Sequence, residues 1–249
     1  MNNLYSSLSE VYEAMYQSFI NYENEYNFYS AILLQHNCKE VLEVGCGTGN
    51  LAERFTGAGF KYTGMDLSDD MLNIAKKNNP KSMFVKADMR DFELHKKIRS
   101  CIITGRTFSY LITNKDVYDA LTAINKNLVT NGIVCFDFID ANKFIPQIKD
   151  GEKVVHKATV NNKKYHRDSF WKVNLAQSWT FDWHSVYYEE VEDSLIKIGE
   201  DNSTIRAFCK DDIVLFLQLA GFEIKEIIAR PSYAFDTFVV VAEKIKELF

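Results

Sequence analysis

Three closely spaced glycines after a short apolar run are the first feature of this chain that could do chemistry. Residues 41–44 read Val-Leu-Glu-Val, which predicts a buried parallel strand. Gly45, Gly47 and Gly49 follow directly, and because glycine lacks a Cβ they allow a sharp turn and the close approach of a ligand. The helix expected to open at Asn50 would offer unpaired backbone N–H groups to a polar ligand. We therefore predict a site for a nucleotide-like cofactor here.

The spacing and charge of this loop narrow the choice of cofactor. A dinucleotide fingerprint reads G-x-G-x-x-G, whereas here the third glycine comes one residue early and Asn50 occupies its place. Glu43, two residues before Gly45, would oppose a phosphate group and favour a cationic ligand. A glycine turn without any ligand is the alternative, although a single turn rarely needs three glycines.

Residues 43–49, with the sequence Glu-Val-Gly-Cys-Gly-Thr-Gly, closely resemble motif I of the class I S-adenosylmethionine-dependent methyltransferases. In that family the loop passes beneath the methionine moiety and the ribose of the cofactor. The resemblance therefore implies that S-adenosylmethionine is the cofactor and that the loop contacts it through Glu43, Gly45, Cys46, Gly47 and Gly49.

An acid at the end of the next predicted strand supports this interpretation. Residues 61–66 read as a strand whose last residue, Asp66, comes 21 residues after Gly45, where a carboxylate can accept both ribose hydroxyls. Asp66 could instead cap the following helix, but Ser68 is already a good N-cap for it. The neighbouring Leu67 would then form one wall for an adenine ring, although such a residue is as often part of the core.

The third and fourth predicted strands, residues 82–87 and 100–104, add further candidates. Asp88-Met89 follows the third strand and resembles the family's acidic motif, which implies that Asp88 accepts from the exocyclic amine of adenine. We assign Met89 and Thr104, at the end of the fourth strand, to the cofactor as well.

The loop beyond the fourth strand, residues 105–111, is expected to face the transferred methyl group. Active sites of open α/β sheets lie outside the carboxyl ends of the strands. By resemblance to small-molecule methyltransferases, Tyr110 would contact the acceptor's nucleophile. Arg106 would bind an anionic group, unless it is only a surface charge. Tyr110 and His184 are the candidates for a general base.

Apolar and aromatic residues at helical spacing fill residues 4–36, which predicts an amphipathic helix in two pieces. In related methyltransferases an N-terminal helical arm closes over the cofactor. That resemblance implies that Tyr12 and Tyr16 lie near the substrate and the sulfonium, whose positive charge suits an aromatic ring. Packing against the sheet is the plainer alternative for most of this stripe.

Aromatic and polar residues alternate from about residue 151 to about residue 204, and all three tryptophans of the protein lie there. The alternation predicts antiparallel strands layered over the carboxyl edge of the main sheet. We assign Trp183 to the substrate site, because an aromatic cover is where substrate choice would be made. Ordinary core packing of the aromatic faces is the alternative.

The remaining segments complete an α/β fold. Residues 115–128 predict a helix, and a fifth strand over residues 133–138 follows a turn at Asn131-Gly132. Strands at 222–229 and 235–242 are close enough to form an antiparallel hairpin. We therefore predict a doubly wound, Rossmann-like sheet of seven mostly parallel strands with an antiparallel C-terminal strand, an N-terminal helical arm and an antiparallel β insertion. The predicted domains are an N-terminal arm or lid at residues 1–37, a cofactor-binding core at 38–145 and 206–249, and an insertion over the substrate site at 146–205.

Composition and charge limit the other classes of function. The 249 residues carry a formal net charge of −5, which argues against a general nucleic-acid binder. No apolar run is long enough to span a bilayer and no signal peptide is visible, so we expect a cytoplasmic protein without a membrane partner. Five cysteines without a C-x-x-C pair predict reduced thiols, and five histidines without metal-ligand spacing predict no metal.

Together these features predict an enzyme that transfers a methyl group from S-adenosylmethionine to nitrogen or oxygen of a small-molecule acceptor by in-line displacement. The resemblance implies N-methylation of an amino sugar or amino acid, or O-methylation of a secondary metabolite. Two alternatives stay open: an NAD-dependent oxidoreductase, which the loop and the hairpin disfavour, and a non-catalytic S-adenosylmethionine-binding regulatory protein. The sequence is compatible with a homodimer.

Overall fold

The computed structural model describes residues 9–160, 162–176, 178–231 and 236–248, which form two β-sheets and the helices that pack on them. The strands are β1 (Glu40–Val44), β2 (Lys61–Asp66), β3 (Met83–Lys86), β4 (Ile98–Ile103), β5 (Leu128–Ile139), β6 (Lys153–Val160), β7 (Lys163–Val173), β8 (Thr180–Val191), β9 (Ser194–Arg206), β10 (Phe222–Pro231) and β11 (Asp236–Lys244). The α-helices are α1 (Ser9–Phe19), α2 (Tyr22–Gln35), α3 (Ala52–Gly57), α4 (Asp69–Asn78), α5 (Asn114–Asn127), α6 (Ala141–Phe144) and α7 (Lys210–Leu219). Short 3₁₀ helices occupy Thr107–Tyr110 and Ile145–Gln147.

The larger sheet has the strand order β3-β2-β1-β4-β5-β11-β10. Strands β1 to β5 pair in parallel, whereas β11 runs antiparallel to both β5 and β10. The chain order reverses between β1 and β4, and the carboxyl ends of these strands border the crevice in which such sheets bind ligands. The predicted fold is confirmed: the described part of the chain contains a seven-stranded, mostly parallel sheet with a reversed C-terminal strand.

Helices cover both faces of this sheet. On one face, Leu33 of α2 and Phe55 of α3 pack against Tyr62 of β2. On the other, Leu121 of α5 belongs to the cluster around Phe136 of β5, which also includes α7. Because the strands are buried on both faces, they carry apolar runs rather than an alternating pattern, and only their ends are available to a ligand. Among the helices of the described ranges, none has both the length and the apolar character needed to cross a bilayer.

The predicted insertion forms a four-stranded antiparallel sheet in the order β6-β7-β8-β9. Part of it packs on the first helix, where Met15 and Tyr16 contact Ala158 and Tyr187. Another part packs through Phe181 on the segment that follows β5. The second sheet therefore connects α1 with the carboxyl edge of the main sheet.

The fifth strand begins earlier than the sequence predicted. Leu128 already pairs with Ile98 of β4, so the turn expected at Asn131-Gly132 lies inside β5. Asn131 has a φ angle of 59°, and a Cβ on Gly132 would lie 2.8 Å from the carbonyl oxygen of Val129. Residues 129–132 lie opposite the single residue Arg99 and form a bulge, which bends the strand without ending its pairing.

Candidate active site

The glycine loop leaves β1 after Val44 and is tied to β2. The backbone N–H groups of Gly45 and Cys46 both donate to the carbonyl oxygen of Met65, at 2.7 and 3.0 Å. Gly45 and Gly47 have φ angles of 72° and 53°, in the left-handed region that favours glycine. A Cβ on Gly45 would lie 2.4 Å from the side chain of Thr107, whereas one on Gly47 would meet no described atom within 4 Å. Gly45 is therefore required by packing, and Gly47 borders open space.

A cavity of about 530 Å³ opens from this loop along the carboxyl ends of β1, β4 and β5. Its volume lies within the range of small-molecule sites. The predicted site residues that line it are Tyr16, Glu43, Gly45, Cys46, Gly47, Asp66, Leu67, Asp88, Met89, Thr104, Arg106 and Tyr110. Gly49 does not line the cavity, and with a φ angle of 78° it packs beside Ala75 of α4 instead.

Glu43 is buried beneath the loop, with 2% of its surface exposed. Burial raises the pKa of Glu43 to about 7, against the effect of two hydrogen bonds that favour the charged form. These bonds come from the hydroxyls of Tyr62, at 2.5 Å, and Thr104, at 3.0 Å. When it is ionised, Glu43 presents a negative charge to the cavity, so this end of the site favours a cationic ligand.

Asp66 closes the other side of the loop. Its carboxylate accepts from the backbone N–H groups of Gly47, at 2.8 Å, and Ser68, at 2.9 Å. Burial raises the pKa of Asp66, and hydrogen bonds from the backbone N–H groups of Ser68, Gly47 and Leu67 act in the opposite direction. A carboxylate has about four acceptor positions, so Asp66 can still accept from a ligand hydroxyl. The N-cap of α4 is Ser68, which accepts from the backbone N–H of Met71 at 3.2 Å, so Asp66 is not needed as a cap.

Asp88 lies at the rim of the cavity with an ion-pair partner that the sequence did not reveal. The guanidinium of Arg90 donates to both carboxylate oxygens, with a shortest distance of 2.6 Å, and also donates to Asp116 at 3.0 Å. Arg90 lowers the pKa of Asp88, so this carboxylate stays ionised at neutral pH. Leu67, which is 51% exposed, and Met89 add apolar surface to the lining of the cavity.

At the other end of the cavity, the loop after β4 meets Asp137 of β5. The backbone N–H of Arg106 donates to both oxygens of Asp137, at 3.0 and 3.1 Å. Burial raises the pKa of Asp137 to about 6, although the positive charge of Arg106 opposes the shift. Tyr110 ends the 3₁₀ helix of this loop and lines the same cavity.

A second charged pair at this end was not predicted. The guanidinium of Arg230 makes two hydrogen bonds to the carboxylate of Glu25, at 2.8 and 2.9 Å, and lies 4.1 Å from the centre of the Phe28 ring. The lining residues that the sequence analysis missed include Tyr22, Glu25, Asp137, Arg230 and Thr237. The sequence could have predicted Asp137, because this residue follows an apolar strand pattern as Asp66 does. Glu25 and Arg230 lie 205 residues apart, and no local pattern links them.

The structure does not bring Trp183 and His184 into this cavity. Successive residues of β8 point to opposite faces of the second sheet. Trp183 packs with the cluster around Phe181, whereas the Nδ1 of His184 lies 2.8 Å from Oδ1 of Asn202 and its ring stacks on Phe170. Neither residue lines the cavity, so its geometry does not support the roles predicted for His184 as a general base and for Trp183 as a substrate contact. Within the described ranges, no group of three His, Cys, Asp or Glu side chains is arranged to hold a metal ion.

The first helix contacts the glycine loop directly. The hydroxyl of Thr48 and the side-chain amide of Asn50 both donate to Oε2 of Glu13, the latter at 3.2 Å. Tyr16 lies one turn further along α1 and lines the cavity, while the side chain of Tyr12 is outside the described residues. Thus α1 contacts both the loop and the second sheet.

Residues 41–132, from β1 into β5, match the family described as a methyltransferase domain. The matched segment comprises 92 of the 249 residues and is similar to a methyltransferase domain. The match includes the glycine loop, Asp66 and Asp88, which carried the resemblance noted in the sequence, and the cofactor roles of these residues stay predictions. Asp137 and Arg230 lie outside the matched segment.

Solved structures share the fold of the methyltransferase domain and its insertion over nearly the whole chain. DesVI of Streptomyces venezuelae superposes with a TM-score of 0.81 and 21% identity, covering 93% of this chain and 97% of that one. The amino pentose methyltransferase CalS10 of Micromonospora echinaspora, solved with bound S-adenosylmethionine, superposes with a TM-score of 0.79 and 19% identity, covering 94% and 96%. At these identities the likeness establishes the fold.

A curated relative of the methyltransferase domain acts on an amino sugar, according to its name. The dTDP-3-amino-3,4,6-trideoxy-α-D-glucopyranose N,N-dimethyltransferase of Streptomyces venezuelae is 34% identical over 94 residues, which cover 38% of this chain and 40% of that protein. The chain spans about half the length of the curated relatives it matches.

Proposed function

We propose that this chain is an S-adenosylmethionine-dependent methyltransferase that transfers a methyl group to nitrogen or oxygen of a small molecule. One observation carries the proposal: the carboxylates of Glu43 and Asp66 flank one glycine loop and line one cavity. Glu43, when it is ionised, would repel a pyrophosphate at the loop and attract a cationic group, and Asp66 is placed to accept from the hydroxyls of a ribose.

The residues of the cavity fit S-adenosylmethionine. The sulfonium and ammonium groups of this cofactor are cationic, and the described lining contains five carboxylates but two arginines. Asp66 has lone pairs for the ribose hydroxyls, and Gly47 leaves open space beside the loop. Leu67 and Met89 offer apolar walls for adenine, and Asp88 offers an acceptor for its exocyclic amine.

When bound, S-adenosylmethionine supplies a methyl group on a positively charged sulfur, and the acceptor's lone pair displaces that sulfur as neutral S-adenosylhomocysteine. The residues of the chain then have to orient the acceptor and exclude water, and orientation alone can supply several kcal/mol of the barrier reduction. Tyr110 is the candidate contact for the nucleophile, and Tyr16 and Tyr22 restrict the cavity from the side of the helical arm.

The arm and the insertion support a small acceptor. We infer that residues 1–37 act as a lid and that residues 146–205 cover the acceptor side of the cavity. Tyr16 of the arm lines the cavity, and the guanidinium of Arg167 in β7 lies 5.8 Å from the centre of the Tyr16 ring. The excess of carboxylates disfavours a nucleic-acid substrate. The amino-sugar relative makes amino sugars the leading acceptor class. All five cysteines are free thiols, which suits the cytoplasm.

Thermal unfolding with S-adenosylmethionine, S-adenosylhomocysteine and NAD in parallel tests this proposal. A ligand at 100 times its Kd adds about 2.7 kcal/mol, which should raise the Tm by roughly 5–10 °C for a domain of this size. Asp66→Ala should abolish the shift. The exposed Asp70 of α4 provides the control, because Asp70→Ala should leave the shift unchanged.

Two outcomes would contradict the proposal in different ways. A shift with NAD alone would make the glycine loop a dinucleotide site. A shift with the sulfur ligands, but no transfer from methyl-labelled cofactor to amines, amino sugars or alcohols under any condition, would favour a regulatory protein that binds the cofactor without catalysis.

A further inference from the structure

The acceptor end of the cavity contains a carboxylate, Asp137, that is only 8% exposed. Among the described residues, its oxygens accept a hydrogen bond only from the backbone N–H of Arg106, at 3.0 and 3.1 Å. A carboxylate has about four acceptor positions, and a buried charge that is incompletely paired is costly. Asp137 can therefore receive further donors from the cavity that it lines.

The other charged side chains at this end of the cavity are paired with each other or compensate Asp137 only in part, so Asp137 is the group that can attract a cation. Arg230 and Glu25 neutralise each other through two hydrogen bonds, at 2.8 and 2.9 Å. Asp137 is compensated in part by the positive charge of Arg106, yet burial still raises the pKa of Asp137. A cationic donor in the cavity would relieve this unfavourable burial of the charged form.

Asp137 also has the same register position along the sheet as the first residue of the glycine loop. Val44 pairs with Ile103 and Ile103 pairs with Phe136, so Gly45 and Asp137 are the next residues along strands β1 and β5. One strand, β4, separates them, which places their backbones about 10 Å apart at the usual strand spacing. This span has room for a methyl group and the atom that accepts it.

We propose that the carboxylate of Asp137 holds the nitrogen of an amine acceptor beside the transferred methyl group, so that the acceptor is an amine rather than an alcohol. This inference rests on the methyltransferase function proposed above. An ammonium group offers three N–H donors and a positive charge, whereas a hydroxyl offers one donor and no charge. Asp137 therefore holds an amine more strongly than an alcohol. The bound ammonium gives one proton to the Asp137 carboxylate, which frees the nitrogen lone pair; this pair forms the new N–C bond to the methyl group while the S–C bond breaks and neutral S-adenosylhomocysteine leaves.

Sinefungin tests the proposal without knowledge of the acceptor. In this analogue of S-adenosylmethionine a carbon-bound amine replaces the methyl-bearing sulfonium, so its nitrogen occupies the place of the transferred methyl group. Calorimetry gives the affinities of the wild type and Asp137→Asn for sinefungin and for S-adenosylhomocysteine. The ratio of the two affinities should fall by about tenfold or more in Asp137→Asn, while the affinity for S-adenosylhomocysteine changes little.

Asp140 provides the matched control. It is 5% exposed, lies three residues beyond Asp137 and accepts from the backbone N–H of Asn142 at 3.1 Å, as the N-cap of α6. It does not line the cavity. Since asparagine caps a helix as well as aspartate does, Asp140→Asn should keep the wild-type ratio.

The outcomes separate this inference from the function on which it rests. An unchanged ratio in Asp137→Asn would overturn it, and so would an equal loss of both affinities, because Asp137 would then serve the fold or the cofactor. If the wild type binds neither ligand, the proposed methyltransferase function itself is wrong.

The wild type supplies a second measurement if Asp137→Asn does not fold. The pKa of Asp137 is about 6, and the amine of sinefungin stays charged in this range, so the affinity ratio should rise with a midpoint near that pH. Burial raises the pKa of Glu43 into the same range, so the measurement is repeated in Glu43→Gln, in which the rise should persist. The groups that face Asp137 are Arg106, Arg230, Glu25, Tyr29 and Cys135, and burial raises the pKa of both Tyr29 and Cys135 well above this range. A ratio that does not vary with pH would overturn the proposal.

Discussion

The hydroxyl of Tyr62 donates a 2.5 Å hydrogen bond to Oε2 of Glu43, at the base of the glycine loop. The hydroxyl of Thr104 donates to the other oxygen at 3.0 Å, so neighbours on both sides of β1 engage the carboxyl group. Burial nevertheless raises the pKa of Glu43 to about 7. The folded protein without ligand therefore keeps a proton that the unfolded chain has already released, and its stability depends on pH through Glu43.

We predict that Glu43 lowers the free energy of unfolding of the ligand-free protein as the pH rises. Below the ordinary value of 4.5 the carboxyl is protonated in both states, and its stabilising contribution is fully present. Between that pH and about 7 only the unfolded chain ionises, so the contribution is progressively lost, by about 3 kcal/mol in all. Urea unfolding at several pH values should show this loss in the wild type relative to Glu43→Gln.

Two comparisons isolate the effect of Glu43. Asp137, whose pKa is raised to about 6, changes the stability in the same direction, but it is present in both proteins and cancels in the difference. Tyr62→Phe removes a hydrogen bond that favours the ionised form of Glu43 and therefore raises the pKa of Glu43 further. In that variant the loss of stability with pH should extend to higher pH. Parallel curves for the wild type and Glu43→Gln would show that Glu43 titrates normally.

The glycine loop gives a prediction that separates fold from binding. Alanine at Gly45 or Gly47 costs about 1–2 kcal/mol for the left-handed backbone. At Gly45 the new Cβ would also lie 2.4 Å from the side chain of Thr107, so Gly45→Ala should lose more stability than Gly47→Ala. Gly47→Ala should unfold cooperatively with a Tm lowered by a few degrees, yet bind S-adenosylhomocysteine at least about tenfold more weakly, because its Cβ enters the cavity. Calorimetry and thermal unfolding measure both quantities.

Thr107→Ala is the companion to these variants. It removes the two side-chain atoms nearest to the new Cβ, so it should restore part of the stability of Gly45→Ala and none of the binding of Gly47→Ala. Equal stability of the two glycine variants, or unimpaired binding by Gly47→Ala, would contradict the roles assigned to these glycines.

The sequence predicted the half of the site next to the loop because its signals are local. Each of Glu43, Asp66 and Asp88 stands at or near the end of a strand, and the carboxyl ends of parallel strands meet at one edge of a sheet. Asp137 carries the same signal but lies between Phe136 and Phe138, both fully buried, so no alternation shows which face its side chain takes.

The rest of the site depends on contacts that no local pattern encodes. The alternation in β8 places Trp183 and His184 on opposite faces, but how the second sheet packs decides which face is buried. Glu25 and Arg230 come together only when α2 and β10 are both in place, 205 residues apart. Charge alone does not identify such partners in a chain with 29 basic and 34 acidic residues.

The helical arm provides a prediction about the rate of ligand release. Glu13 of α1 accepts from Thr48 and Asn50 of the glycine loop, and each of these hydrogen bonds is worth about 1 kcal/mol. Glu13→Ala should therefore loosen the arm and raise the dissociation rate of S-adenosylhomocysteine by about five- to thirtyfold in stopped-flow measurements. Glu23→Ala is the control, because the exposed pair of Glu23 with Arg54 contributes little. Equal rates in the wild type and Glu13→Ala would exclude α1 as a lid.

Asp88 gives a prediction about recognition of the base. Its carboxylate accepts from the backbone N–H and the guanidinium of Arg90, with a shortest distance of 2.6 Å, and its side chain is 31% exposed at the rim of the cavity, where an exocyclic amine can reach it. The wild type should therefore bind S-adenosylhomocysteine about tenfold more tightly than its hypoxanthine analogue, in which an oxygen replaces that amine. Asp88→Ala should lose this discrimination, whereas the neighbouring exposed Asp91 provides a control variant, Asp91→Ala, that should keep it.

The four affinities of this comparison form a double-mutant cycle, which measures the coupling between Asp88 and the amine without contributions from the rest of the ligand. A coupling near zero would mean that Asp88 serves only its ion pair with Arg90. Discrimination against the hypoxanthine analogue that survives Asp91→Ala and disappears in Asp88→Ala would indicate direct contact between the Asp88 carboxylate and the adenine amine. It would extend the cofactor site from the glycine loop at the end of β1 to the residues that follow β3.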